Sequence, residues 1–252
     1  MRTLAAVMLM LSLGCTDPFA EAQKTDSIAS YEKYLEENPS GAYQLQASTR
    51  LEDLMLQKAK ESQDLADFDA YLERFPDGTK REKALEARES VLFGWASTTD
   101  TAESWQKFLD EYPRADRSRK QEARRRLKVA ENKDAVSLSA PEIEQTNLQN
   151  NPDGPLDGWM FVLDVTNTGD KTITLLTLGI SYLDDAGNVL DTDTYPSVGS
   201  RYPGRDWVED AYKAPLKPGE TRAWEFTSGN LPVGWNRSVK ITPVSIGFEE
   251  AE

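Results

Sequence analysis

Apolar residues recur at helical spacing between about residues 24 and 133. Beyond that point they fall into short runs separated by turn residues, the pattern of strands. A longer period overlies the helical half. Three segments, Ser27–Pro39, Asp64–Pro76 and Thr101–Pro113, align without a gap at a spacing of 37 residues. The same spacing relates Tyr31, Phe68 and Trp105, then Tyr34, Tyr71 and Phe108, then Leu35, Leu72 and Leu109. Each segment predicts a helix. Ser27, Asp64 and Thr101 are residue types that cap free N–H groups of a first turn. Ile28, Tyr31 and Leu35 share one face at i, i+3 and i+7, as do Leu65, Phe68 and Leu72. The proline ends the helix by pushing the preceding residue out of the α region.

A second helix is expected after each proline, capped by Ser40, Asp77 and Asp116. Its apolar positions are Ala47, Leu51, Leu54 and Met55, then Ala84, Ala87, Val91, Leu92 and Trp95, then Ala123, Leu127 and Ala130. Small alanines at such sites let helices approach closely. The pattern predicts three helical hairpins over 25–133, about the minimum for a stable stack.

From residue 134 onward, strands are expected over 135–144, 159–167, 172–183, 189–195, 222–227 and 239–248. The turns between them include Asp184-Asp185-Ala186-Gly187-Asn188 and Lys217-Pro218-Gly219-Glu220. Six or seven strands in this length predict an immunoglobulin-like antiparallel β-sandwich. The expected fold class is α+β and multidomain, with N-terminal α-helical hairpin repeats followed by an antiparallel β-sandwich at 134–252.

Composition narrows the chemistry. The 252 residues carry a formal net charge of −14, which argues against nucleic acid as a partner. Residues 134–252 hold 8 Lys/Arg and 19 Asp/Glu, a net of −11, leaving −3 for residues 1–133. There is no histidine and only one cysteine. Ser-His-Asp and Cys-His catalysis, His-containing zinc sites and an internal disulfide are therefore excluded within the chain. A carboxylate pair is the easy acid–base chemistry that remains. None of the 43 acidic residues lies in a recognisable glycosidase context, and no phosphate-cradling glycine loop is present. A protein without enzymatic activity, cofactor or metal is expected.

Four features are candidates for function. Residues 114–128 hold eight Lys/Arg against Asp116 and Glu122. This basic helix could be a solvated capping face, could dock on the acidic C-terminal domain, or could meet an anionic lipid, lipopolysaccharide or acidic partner. Arg117, Arg124 and Arg125 are its candidate partner-binding residues. The long connection 196–213 holds Arg201, Tyr202, Arg205, Trp207 and Tyr212, residue types that form interface hot spots. The other reading is that Tyr202 and Trp207 plug an edge of the sandwich. The carboxylates Asp184, Asp185, Asp191 and Asp193 are explained by hairpin chemistry, or could gather calcium. The N-terminus is the fourth. Arg2 followed by the apolar run Leu4–Leu13, too short to span a bilayer comfortably, predicts a secretory signal over 1–14.

Three resemblances add to this. Leu11-Ser12-Leu13-Gly14-Cys15 resembles a bacterial lipobox, which implies diacylation of Cys15, with 15–24 as a lipidated terminus and tether. Thr16 after the cysteine favours the outer membrane over the inner. The 37-residue repeats resemble tetratricopeptide-type hairpins of envelope lipoproteins of the outer-membrane assembly type, which implies binding of envelope proteins. Residues 159–169, Tyr182-Leu183-Asp184 and 216–220 resemble bacterial cell-surface domains named for a Phe-x-Leu-Tyr-Asp signature, which implies an extracytoplasmic accessory domain. The expected function is a non-catalytic cell-envelope lipoprotein acting as an interaction or assembly scaffold. The alternatives are a glycan- or peptidoglycan-binding module that uses the aromatic loop, and a passive spacer. An exposed row of Tyr202, Trp207 and Trp235 would favour the glycan reading, and their burial would favour the scaffold.

Overall fold

The computed structural model describes residues 17–149, 154–199 and 210–250. The chain is mixed α+β: helices come first, antiparallel sheets follow, and it divides into two compact units, residues 1–94 and 95–252.

The first unit contains helices α1 (Pro18–Thr25), α2 (Ile28–Glu37), α3 (Gln44–Ser62) and α4 (Leu65–Arg74). It also holds most of α5 (Arg81–Thr99). The Ser27 hydroxyl accepts from Ser30 N at 3.2 Å and the Ser30 hydroxyl accepts from Ser27 N at 3.1 Å, a reciprocal cap. Asp64 accepts from Ala66 N at the start of α4. The expected second caps are corrected. Ser40 and Asp77 cap nothing, because Gly41 N and Gly78 N fold back on Asn38 O and Phe75 O, and α3 and α5 begin several residues later.

The stretch expected as a tether, residues 15–24, holds all of α1 but its last residue. Its start is set by the Asp17 side chain accepting from Phe19 N, with Pro18 in the first turn where its missing N–H is not needed. Burial of Phe19 and Ala22 then fixes it. Ala22 has counterparts 37 and 74 residues on in Ala59 and Ala96, both fully buried, so α1 corresponds to the C-terminal portion of α3 and α5. Phe19, Tyr31, Tyr34, Ala47 and Leu51 form one apolar cluster. Leu56, Ala59, Phe68, Tyr71 and Ala84 form the next.

The second unit holds the end of α5, then α6 (Ala102–Glu111) and α7 (Arg117–Glu131), a short 3-10 turn at Lys133–Ala135, and the sheets. Thr101 and Ser104 cap α6 reciprocally, as Ser27 and Ser30 do for α2. Asp116 caps α7 by accepting from Ser118 N and Arg119 N. The strands are β1 (Val136–Leu138), β2 (Glu142–Thr146), β3 (Gly158–Asn167), β4 (Ile173–Leu183), β5 (Val189–Val198), β6 (Thr221–Ser228) and β7 (Val239–Phe248). A helical turn, α8 (Asp210–Lys213), precedes β6.

In one sheet β1 and β2 both pair with β3 and β6 pairs with it too, with Val136 opposite Asn167 and Leu163 opposite Trp224. In the other, β4 lies between β5 and β7, with Ile180 opposite Asp193 and Ile241. One core joins Phe161, Leu163 and Val165 of the first sheet to Leu176, Leu178 and Ile180 of the second. The single strand expected over 135–144 is two strands. The break at 139–141 is held by Asp164, whose N–H donates to the Ser139 hydroxyl and whose carbonyl accepts from Ser139 N. Strand β5 also runs past the expected end at 195, to Val198.

Asn167 ties the two sheets' connections together. It is fully buried, and its Nδ2 donates to Lys171 O at 2.9 Å and to Leu216 O at 2.8 Å, while its Oδ1 accepts from Gly169 N. Backbone bonds from Asn167 N to Glu220 O and from Gly219 N to Asn167 O complete the junction. Two of the sequence stretches singled out above, around Asn167 and around Gly219, are thus halves of one hydrogen-bonded corner.

Candidate interaction surface

Helix α7 carries the basic run, and the structure sorts its cations by helical phase. Arg125 faces inward. It holds Glu122 at 2.6 Å and donates to the backbone carbonyl of Val244 on β7. Arg126 reaches Glu122 at 3.1 Å and Asp100 at 3.2 Å. Burial pushes the Glu122 carboxyl up, but the bonds from Arg125 and Arg126 outweigh it and hold it below the ordinary glutamate range. Val129, one turn further on, packs against the sheet core. Of the three readings of the basic helix, docking on the β strands describes this face.

The exposed face is different. Arg117, Gln121, Arg124, Lys128 and Glu131 are all exposed and recur at intervals of four and three, so they form one row. Arg117 and Arg124 form no ion pair among the described residues. Of the candidate residues on this helix, Arg117 and Arg124 are therefore presented to solvent and Arg125 is engaged within the fold.

Beside the row lies a cleft of about 740 Å³, lined by Arg124, Leu127, Lys128, Lys171 and Phe248, with Glu131, Glu249 and Glu250 also on its wall. The Lys128 ammonium stands 5.8 Å from the centre of the Phe248 ring. Lys171 and Phe248 were not singled out from sequence. No local pattern links them to α7, because the link is made by the packing of β7 and the β3–β4 turn.

The remaining candidates sort as follows. Cys15, Arg201, Tyr202, Arg205 and Trp207 lie outside the described residues. Trp235 is half-buried among Trp159, Phe161 and Tyr182, and its Nε1 donates to Ser238 O at 2.7 Å. Tyr212 is buried with its hydroxyl on the backbone of Glu225.

Asp184 spends its oxygens on Ala186 N, Asn188 N and Asn188 Nδ2, which is hairpin chemistry. The bonds from Asn188 lead in holding its carboxyl below the usual range. Asp193 accepts from the Tyr182 hydroxyl. No group of three or more His, Cys, Asp or Glu is placed to hold a metal ion among the described residues.

Glu52 is the buried carboxylate among the described residues. Tyr71 Oη and Lys80 N donate to its Oε1 at 2.9 Å, and Thr79 Oγ1 donates to its Oε2 at 3.1 Å. Its oxygens are occupied by donors that hold a turn, and no second buried carboxylate faces it among the described residues. No helix among the described residues is long and apolar enough to cross a membrane.

No family model matches the chain, and no curated protein matches it. Among solved structures, a Bordetella pertussis protein described as an ApaA protein aligns over 44% of this chain and 91% of its own, at 15% identity and a TM-score of 0.22. The alkylpurine DNA glycosylase AlkC of Pseudomonas fluorescens, bound to DNA containing an abasic site analog, aligns over 89% of this chain and 63% of its own. That alignment has 8% identity and a TM-score of 0.30.

Proposed function

We propose that this chain is a non-catalytic cell-envelope lipoprotein that acts as a protein-interaction or assembly scaffold. In this reading Cys15 is diacylated, and the outer membrane is the favoured location. The helical half is a stack of tetratricopeptide-like hairpin repeats, and the strands are an immunoglobulin-like sandwich that serves as an extracytoplasmic accessory domain.

The observation that carries the reading is the repetition in the helical half. Helices α2, α4 and α6 begin at Ile28, Leu65 and Ala102, 37 residues apart, each behind a side-chain cap and each preceded by a residue with positive φ (Asp26, Gln63, Asp100). Chains built from such units offer extended surfaces to protein partners. The occupied oxygens of Glu52 support the non-catalytic part. The packing of half-buried Trp235 against the core supports a scaffold over a glycan-binding row.

In-cell crosslinking of the tagged full-length protein, followed by mass spectrometry with Cys15→Ser in parallel, tests this. A few reproducible envelope partners, reduced in the Cys15 variant, are expected. No reproducible protein partner in either sample would sink the scaffold reading.

A further inference from the structure

We propose that the exposed row of α7 and the cleft beside it form the docking site for an acidic peptide segment of a partner protein, with one apolar side chain of that segment seated in the cleft. This inference rests on the scaffold reading and names the chemistry of the partner.

The row is set apart by what its neighbours do. Arg119 lies 3.6 Å from Asp116, Lys120 donates to Pro113 O, and Arg125 and Arg126 are held by Glu122, Val244 O and Asp100. These cations hold the fold together. Arg117 and Arg124 do not, and Lys171 across the cleft likewise forms no ion pair among the described residues. From Arg117 to Lys128 is eleven residues of helix, roughly 16 Å. That is the length of about five residues of extended peptide.

Charge complementarity selects the occupant. Residues 114–128 carry a net of +6 in a chain of −14, so the rest of the chain carries −14 − 6 = −20. An acidic segment is repelled by most of this molecule and drawn to the row, which gives orientation as well as attraction.

The cleft argues for peptide over a lipid surface. It is concave, and Leu127 and Phe248 line it together with Glu131, Glu249 and Glu250 beside the cations. A flat sheet of anionic headgroups would meet those carboxylates and leave Leu127 and Phe248 inside the cleft uncovered. A peptide can place carboxylates against Arg117, Arg124 and Lys171, turn an apolar side chain onto Leu127 and Phe248, and avoid the acidic wall. The Lys128 ammonium over the Phe248 ring keeps a cation and an apolar surface side by side.

The test is fluorescence anisotropy on the purified full-length protein in neutral detergent. The probe is a labelled nine-residue peptide of Glu and Asp around a central Leu. Saturable binding is expected, weakened about tenfold or more by raised salt or by the double change Arg117→Glu and Arg124→Glu. It should be weakened several-fold when the probe's Leu is replaced by Ser. Both arginines are exposed and form no ion pair among the described residues, so the double variant should keep the parent's circular dichroism and unfolding midpoint.

No peptide binding, or equal binding by the double variant, overturns the proposal. So does retention on phosphatidylglycerol vesicles over phosphatidylcholine vesicles that vanishes in the double variant while the peptide fails to bind, because the surface would then serve a membrane. Peptide binding without crosslinked envelope partners would sink the scaffold reading alone. Envelope partners without peptide binding would sink this inference alone.

Discussion

The indole Nε1 of Trp105 donates to Asp100 Oδ1 at 2.8 Å, and two periods earlier the Tyr31 hydroxyl donates to Asp26 Oδ1 at 3.2 Å. Both aspartates have positive φ, 47° and 46°, and both are met by an arginine from the following long helix, Arg126 and Arg50. The middle period lacks the aspartate and the donor. Gln63 takes the positive φ, and the aromatic is Phe68, which has nothing to donate. The two positions vary together because they are one device: an aspartate that tolerates the left-handed turn also receives the donor that pins the next helix.

This relationship gives a graded prediction at Asp100. Asp100→Asn keeps the acceptor and the tolerance for positive φ, and gives up only a half-exposed ion pair, so a change within about 0.5 kcal/mol is expected. Asp100→Gly keeps the turn but leaves the Trp105 N–H without its partner, at about 1 kcal/mol. Asp100→Ala adds backbone strain, for about 2 kcal/mol in all. Urea unfolding of the three variants checks the order, and an Ala variant no worse than Gly would remove the role assigned to the turn.

Glu52 predicts an acid-sensitive first unit. Burial raises its pKa, but bonds from Lys80 N, Tyr71 and Thr79 outweigh that and leave it below the ordinary value. A carboxylate depressed on folding contributes stability above its unfolded pKa, about 4.3, and loses that contribution as the pH falls through the lower folded value. Stability at neutral pH should therefore fall in Glu52→Gln by about 1–3 kcal/mol, and the acid limb below pH ~4 should flatten. Gly78→Ala should act through the same group, because a Cβ there would stand 2.6 Å from Glu52 Oε1. Equilibrium unfolding across pH 3 to 7 measures both, and an unchanged acid limb in Glu52→Gln would show that Glu52 is not its source.

The corner at Asn167 separates loss of a bond from reversal of a charge. Asn167→Ala leaves Lys171 O, Leu216 O and Gly169 N short of a partner, at about 2–4 kcal/mol. Asn167→Asp sets a carboxylate against two carbonyl oxygens in a buried site. That raises the carboxyl's folded pKa, so the variant should be worse than Ala at pH 7 and recover as the pH falls toward 4. The wild-type chain should show no such recovery. Thermal unfolding at pH 7 and pH 4 decides it, and an Asp variant equal to Ala at both would contradict the geometry.

What could be read from the sequence was what repeats or alternates locally. Ser27, Asp64 and Thr101 were legible as caps because each sits one period from the next and four residues before an aromatic on the apolar face. Ser40 and Asp77 misled because the turn after each proline is closed by backbone bonds to Asn38 O and Phe75 O, a geometry that side-chain type does not announce. The start of α1 had a signal in Asp17-Pro18, overshadowed by Cys15 two residues before it. The difference between Arg124 and Arg125 was not legible at all. Neighbours on a helix point about 100° apart, and the partner that engages Arg125, Val244 O, lies 119 residues away in sequence.

That difference is itself testable. Arg125 joins α7 to β7 and shares Glu122 with Arg126. Removing it leaves the Val244 carbonyl without this donor and Glu122 with Arg126 alone among the described residues. Charge-assisted bonds contribute about 1.5–3 kcal/mol when shielded, and the half-exposure of this pair discounts that toward about 1 kcal/mol. Arg125→Ala should therefore lower the unfolding free energy of the second unit by about that amount and speed amide exchange along the Val239–Phe248 strand. Arg124→Ala should do neither, since Arg124 has no ion-pair partner among the described residues, and should weaken only the binding of an acidic peptide. Hydrogen exchange and peptide anisotropy on the two variants give a double dissociation. If the two behave alike in both measurements, the division of α7 into an inward, fold-holding face and an outward, partner-facing row is wrong.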